Sequence, residues 1–344
     1  MPDVAKPPSS QILLKGMAVL GGLGVLAASV LLPDRLWPIA TFVLASLVAV
    51  APLVVPGILL AAWVNASGAG GRIVGYFDGH LLRTILIASS LGAVTPVCGV
   101  TVLPLMAGLL AAGVPLAPVM AFWLSSPVTD PAMLATTAAT LGYDFAIGKA
   151  VAAFGLGLLG GLVTAAAAGC AWTRRPLRRN GIVGAMGRES GACRAAPFAP
   201  AIWRTQAQRD RFRREVWATT RLILICLVPA FAAEFLLNAV LQPAALSAYL
   251  GRDSWWAVPL AVFVGAPAYI DGYAALPLTR GLIDHGMSRG AAMAFLVSGG
   301  VVSVWGAMAI CPVLRLKPFL LYLGLAVAGS LASGWLFDLV EGVM

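Results

Sequence analysis

The sequence predicts an all-α polytopic membrane protein built from two repeats of inverted topology, each carrying a broken, re-entrant helical hairpin. Three observations predict it. The composition is too apolar for a water-facing surface, the chain matches itself at a constant spacing, and prolines and glycines interrupt its apolar runs in corresponding places.

Of the 344 residues, 60% are hydrophobic and only 11% are charged, where soluble domains carry about 25% charged residues. The runs 12–32, 38–64, 145–171, 219–241 and 318–337 have the length of membrane-spanning helices. Glycine (38) and proline (23) are abundant, as they are in membrane helices. Residues 1–10 are polar, and the run that follows Lys15 lacks a small-residue cleavage site. Residues 1–35 therefore read as an extra N-terminal helix and not as a removed signal peptide.

The net charge of +9 is concentrated in one segment, 174–214, which opens "RRPLRRNG" and closes "RDRFRR". A basic loop between apolar runs follows the positive-inside rule, which makes 172–216 a cytoplasmic linker and excludes a nucleic-acid groove. The partners this leaves are the lipid bilayer and a small-molecule or ion substrate. Five cysteines, an odd count without paired spacing, signal neither a disulfide framework nor a zinc knuckle.

The self-match defines the two repeats, 36–171 and 217–344. "LPLMAGLLAAGVPLAPVMAFWLS" (103–125) lies over "LPLTRGLIDHGMSRGAAMAFLVS" (276–298) at an offset of 173, with ten of 23 positions identical. The same offset pairs Pro56 with Pro229 and Asn65 with Asn238. Apolar composition alone would match leucines and alanines. It would not match prolines, glycines and an asparagine.

Within the first repeat, 38–64 reads as a span. The pieces 84–95 and 102–112 are too short to cross a core that needs about 20 residues, so they read as a re-entrant hairpin. Spans at 117–141 and 145–171 complete the unit. It crosses the membrane an odd number of times, so its duplicate is inverted, the architecture of many secondary transporters. With 174–214 inside, Lys6, Lys15, Arg72, Arg83, Arg315 and Lys317 also fall inside, and Asp338 and Glu341 fall outside. This places the N-terminus in the cytoplasm and the C-terminus outside a bacterial-type inner membrane. Arg280 and Arg289 fall on the outer side, against the rule.

Broken backbone at membrane depth is tolerated where it lines a polar cavity. The first hairpin tip holds Cys98 and Thr101 between Pro96 and Pro104, and the second holds Tyr269 and Asp271 between Pro267 and Pro277. Entering from opposite faces, the tips are expected to meet. The segment "FWLSSPVTDPAML" (122–134) adds Ser126 and Asp130. Glu234 lies mid-span in "VPAFAAEFLLNAV". A carboxylate at bilayer depth costs at least about 2.5 kcal/mol unless paired or hydrated. No lysine or arginine is expected at that depth, so Asp130, Glu234 and Asp271 either bind a cation or exchange protons. Cys98, Asp130 and Asp271 are the candidate metal ligands, the thiol being suited to a thiophilic metal or metalloid. His80 and His285, near interfaces, read as structural or solvated residues, and Ser298 to Ser303 read equally well as helix packing or as part of the site. There is no nucleotide-binding glycine motif, no catalytic-triad order and no metalloprotease signature, so no enzyme activity and no cofactor are expected.

"PVCGVTVLPLMAGLLAAG" with "MAFWLSSPVTDPAML", and "PAYIDGYAALPLTRGL" with "MAFLVSGG", resemble the predicted permease family that includes ArsP-type exporters of trivalent organoarsenicals. The resemblance covers most of 40–340. It implies a permease of two homologous halves and efflux of a metal, metalloid or small toxic compound. Relatives often carry more cysteines at the first tip, a cysteine at the second, and an asparagine at the position of Asp130. Fewer thiols and more carboxylates point to a harder cation, a cationic organic molecule or a proton-coupled solute. The expected activity is a secondary transporter working by alternating access. A channel-like facilitator and a non-transporting membrane scaffold are the alternatives.

Overall fold

The computed structural model describes residues 36–67, 80–95, 102–111, 113–178, 201–240, 256–265, 272–302, 307, 310–311 and 313–343. Their regular structure is α-helical, in agreement with the all-α expectation. The helices are α1 (Leu36–Ser67), α2 (Leu81–Val94), α3 (Val102–Ala111), α4 (Leu116–Ser125), α5 (Pro131–Leu141), α6 (Tyr143–Ala166), α7 (Ala171–Arg174), α8 (Gln206–Val240), α9 (Ala257–Gly265), α10 (Gly272–Asp284), α11 (Arg289–Val301) and α12 (Leu316–Val343). An isolated antiparallel bridge joins Leu177 to Leu314. The candidate N-terminal span at 12–32 lies outside the described residues.

Two predicted boundaries shift. The span expected at 117–141 is two helices, α4 and α5, separated by 126–130. Pro131 supplies no backbone donor to a continuing helix and clashes with the turn before it, so the helix restarts there with Pro131 in its first turn. α8 begins at Gln206, inside the predicted linker.

The helix ends recur at the spacing seen in the sequence. α3 closes at Gly113, whose φ of 97° suits glycine. Gly113 N–H donates to Leu110 O at 3.2 Å, and Val114 N–H donates to Leu109 O at 3.0 Å. After α10, 173 residues later, Gly286 has a φ of 100°. Its N–H donates to Ile283 O at 2.9 Å, and Met287 N–H donates to Leu282 O at 3.0 Å. Each closure is a left-handed C-terminal cap that satisfies the last carbonyls of its helix.

Packing recurs as well. α4 lies against α2 and α6, and α11 lies against α9 and α12. A Cβ at Gly92 would meet Ser125 Oγ, and Phe122 O at 2.8 Å; a Cβ at Gly265 would meet Ser298 Oγ, and Phe295 O at 2.9 Å. Both serines turn back into their own helix, Ser125 Oγ to Phe122 O and Ser298 Oγ to Phe295 O, each at 3.1 Å. Small residues at these crossings let helix backbones touch, the packing that lipid-embedded helices rely on.

α8 packs on α1, and α6 and α12 pack on each other. Gly148 packs on Phe337 while Leu156 packs on Gly329, so the two helices run antiparallel. Both are long and apolar enough to cross a membrane. Their outer faces carry exposed Ile147, Val151 and Leu162 on α6 and exposed Leu320, Leu336 and Leu339 on α12. Water would penalise that surface and lipid would not. Trp123, Leu124, Phe145, Leu156, Met293 and Phe295 lie in the core between them.

Candidate functional site

The break at 126–130 is the one interruption in the middle of the bundle whose side chains are described. Ser126 N–H donates to Phe122 O at 3.0 Å and Val128 N–H to Ser125 O at 3.4 Å, which closes α4 into a turn. Pro127 O lies 2.5 Å from where a Cβ on Gly300 would stand. Pro127 and Gly300 are 173 residues apart. The break in the first half therefore rests on its own counterpart in the second.

This turn is polar and closed to solvent. Ser126 and Thr129 are each 2% exposed, and Ser126 Oγ and Thr129 Oγ1 have no hydrogen-bond partner. One turn earlier, Trp123 Nε1 is buried and also unpartnered. The Trp123 ring packs on Tyr322 with centroids 5.3 Å apart. Tyr322 donates its hydroxyl to Val301 O at 2.8 Å, at the end of α11. Buried polar groups are normally satisfied, and each orphan asks for an explanation.

Asp130 is buried and caps α5, its Oδ1 accepting from Met133 N–H at 2.9 Å. The cap satisfies one of the free donors at the helix start and puts a negative charge at the positive end of the helix dipole. The expectation that no basic residue shares this depth is corrected here. Lys149, on α6, is 1% exposed and donates to Met133 Sδ at 3.0 Å, and Asp130 acts on it electrostatically. Met133 thus stands between the two charges, with its amide on the carboxylate and its thioether on the ammonium. A carboxylate in an apolar bundle needs a counter-charge, and the fold supplies one.

Lys149 escaped notice because 145–171 reads as an apolar run in which it is the single charged residue. The offset could have found it. Lys149 corresponds to Tyr322, and Asp130 corresponds to Ser303. One half carries both charges and the other carries neither, the signature of a coupled pair.

Of the remaining candidates, Cys98, Thr101, Tyr269 and Asp271 lie outside the described residues, so the meeting of the two hairpin tips does too. Glu234 lies on α8, with its side chain outside the described set. His80 and His285 are exposed, and His285 Nδ1 sits 2.6 Å from Gly281 O. Cys170 is exposed. Among the described residues no three of His, Cys, Asp and Glu gather as a metal site.

The arginines that broke the positive-inside pattern are paired. Arg280 Nε lies 3.2 Å from Asp284 Oδ1. Arg289 pairs with Glu341 at 2.5 Å and lies 3.9 Å from Asp144, over the rings of Phe145 and Phe337. Asp338 Oδ1 accepts from Gly290 N–H at 2.6 Å at the start of α11. The cluster ties the end of α12 to the start of α6.

The profile of a family described as predicted permeases (ArsP_1) matches residues 36–339. The UPF0718 protein MJ0584 of Methanocaldococcus jannaschii is 24% identical over 332 residues, a match that spans 82% of this chain and 91% of the relative. No solved structure matches the chain.

Proposed function

We propose, for a chain that belongs to the predicted permease family, that it exports a small solute by alternating access, with its site at the 126–130 break. Family membership makes it a membrane protein and a transporter in the coarse sense. The rest is our reading. Its main support is the contact of Pro127 with Gly300, which sets the interruption of one half against the equivalent point of the other.

Two facts support opposed repeats. α6 and α12 begin 173 residues apart, at Tyr143 and Leu316, and run antiparallel. Equivalent helices of opposite direction are what inversion requires. In this reading the tips holding Cys98, Thr101, Tyr269 and Asp271 border the same site, and Ser126, Asp130 and Glu234 contribute to its polarity. Proton coupling provides the drive.

The test is a tolerance screen of a deletion strain and an overexpressing strain against metals, metalloids and small organic toxins. Overexpression should lower the cellular retention of at least one compound severalfold, and Asp130→Asn at equal membrane abundance should abolish that effect. Equal export by Asp130→Asn would remove the break from the transport path.

A further inference from the structure

Whatever solute the chain carries, we propose that the joint between residues 174–178 and 313–317 is a docking site for the headgroup of an anionic phospholipid. The backbone builds this joint. Leu177 pairs with Leu314 in an antiparallel bridge. Arg178 N–H donates to Val313 O at 2.9 Å, and Arg315 N–H donates to Pro176 O at 2.8 Å. Arg178 Nε donates to Leu314 O at 2.6 Å, across 136 residues of chain, which commits that guanidinium to the joint itself. The segment that follows α7 is thus held against the segment that enters α12, and α7 also packs on α12.

Four further cations are brought to the same place. Arg174 is the last residue of α7 and Arg175 follows it as the C-terminal cap. Arg315 and Lys317 flank Leu316, the first residue of α12. All four are exposed. None makes an ion pair or a side-chain hydrogen bond with another described residue. Residues 171–178 and 313–320 contain no carboxylate. Asp144, Asp338 and Glu341 gather around the start of α11, at the opposite end of α6 and α12. Like charges held together without a counter-charge repel one another, and a bound anion relieves that repulsion.

The apolar surface beside the joint selects the kind of anion. On the first turns of α12, Leu316 is 58% exposed and Leu320 is 53% exposed. Leu162 and Val163 are exposed near the end of α6. Both helices are long and apolar enough to cross a membrane, so these side chains face acyl chains and the four cations stand where the apolar band stops. Basic residues at that level attract anionic headgroups at short range. A phospholipid uses both features, its phosphate on the cations and its chains along the leucines. A free phosphate uses only the first.

The test is thermal unfolding of the purified full chain in a neutral detergent at fixed pH and ionic strength. Phosphatidylglycerol, phosphatidylcholine or inorganic phosphate is added. A ligand that binds the folded state raises its melting temperature by mass action. Phosphatidylglycerol should raise that of the wild type by about 2–4 °C more than phosphatidylcholine does. Arg174→Gln/Arg175→Gln/Arg315→Gln/Lys317→Gln should lose the difference, and replacement of the three arginines by lysine should keep it. If the fourfold glutamine variant does not fold, Arg315→Gln/Lys317→Gln takes its place and should lose most of the difference. Removing as many charges on and just before α8, which packs on α1, controls for diffuse attraction. Arg204→Gln/Arg209→Gln/Arg213→Gln/Arg221→Gln should therefore respond as the wild type does. Equal action of the two lipids on the wild type overturns the proposal. So does a difference that survives in the joint variants, or one that the α8 variant loses equally. Stabilisation by inorganic phosphate as large as that by phosphatidylglycerol would assign the joint to a free anion and overturn it too.

Discussion

Asp130→Ala is expected to be clearly destabilising, by about 1–3 kcal/mol, the cost of leaving a buried polar group less well satisfied. Removal of the carboxylate takes away a charge that favours the Lys149 ammonium, which is 1% exposed and has a thioether as its hydrogen-bond acceptor. The two charges act on each other through space and not as a contact ion pair among the described residues, so the loss is smaller than that of a broken buried salt bridge. The same substitution deletes the cap on Met133 N–H, worth about 1 kcal/mol. Asp130→Asn keeps a capping oxygen and should cost less. The double variant Asp130→Ala/Lys149→Met should recover most of the loss, because replacing a buried pair by apolar groups of similar volume is often neutral. Thermal unfolding of the four proteins in one detergent measures the cycle. If the single costs simply add in the double variant, the two charges are not coupled.

The second large effect is expected at Gly300→Ala. A Cβ there would stand 2.5 Å from Pro127 O and 3.4 Å from its carbonyl carbon, and both are backbone atoms that cannot rotate aside. The crossing of the 126–130 break on α11 would have to open, at about 1–3 kcal/mol. The neighbouring glycine is the control. A Cβ at Gly299 would meet Gly265 O at 3.6 Å, an ordinary contact. Gly299→Ala should therefore be tolerated, with the higher helix propensity of alanine in its favour. Equal loss in the two variants would place the tight contact elsewhere.

The sequence made the helical class and the interruption around Pro127 and Pro131 legible, because each is written in residue types with strong local meaning. Prolines at 127 and 131 and glycines at 113 and 286 constrain the backbone whatever surrounds them. The break in 117–141 is half legible: its polar residues and prolines stand out, but the apolar length of the segment still reads as one span. Pair interactions were harder to see. Lys149 lies 16 residues from Met133, and nothing local marks a lysine in an apolar run as the partner of an aspartate on another helix. The three carboxylates consequently looked unopposed and suggested a cation. With Lys149 on Met133 and acting on Asp130, that carboxylate is not unopposed. The contact of Pro127 with Gly300 was likewise invisible, since the offset relates positions without bringing them together.

The most direct test of the account is the access of reagent to Ser126. In a chain whose five cysteines are replaced by serine, Ser126→Cys should react with a membrane-impermeant maleimide applied to right-side-out vesicles. In a separate experiment it should also react in inverted vesicles, because alternating access exposes the break to each face in turn. Reaction from one face alone, with none from the other after prolonged exposure, would contradict a site between two halves that open alternately.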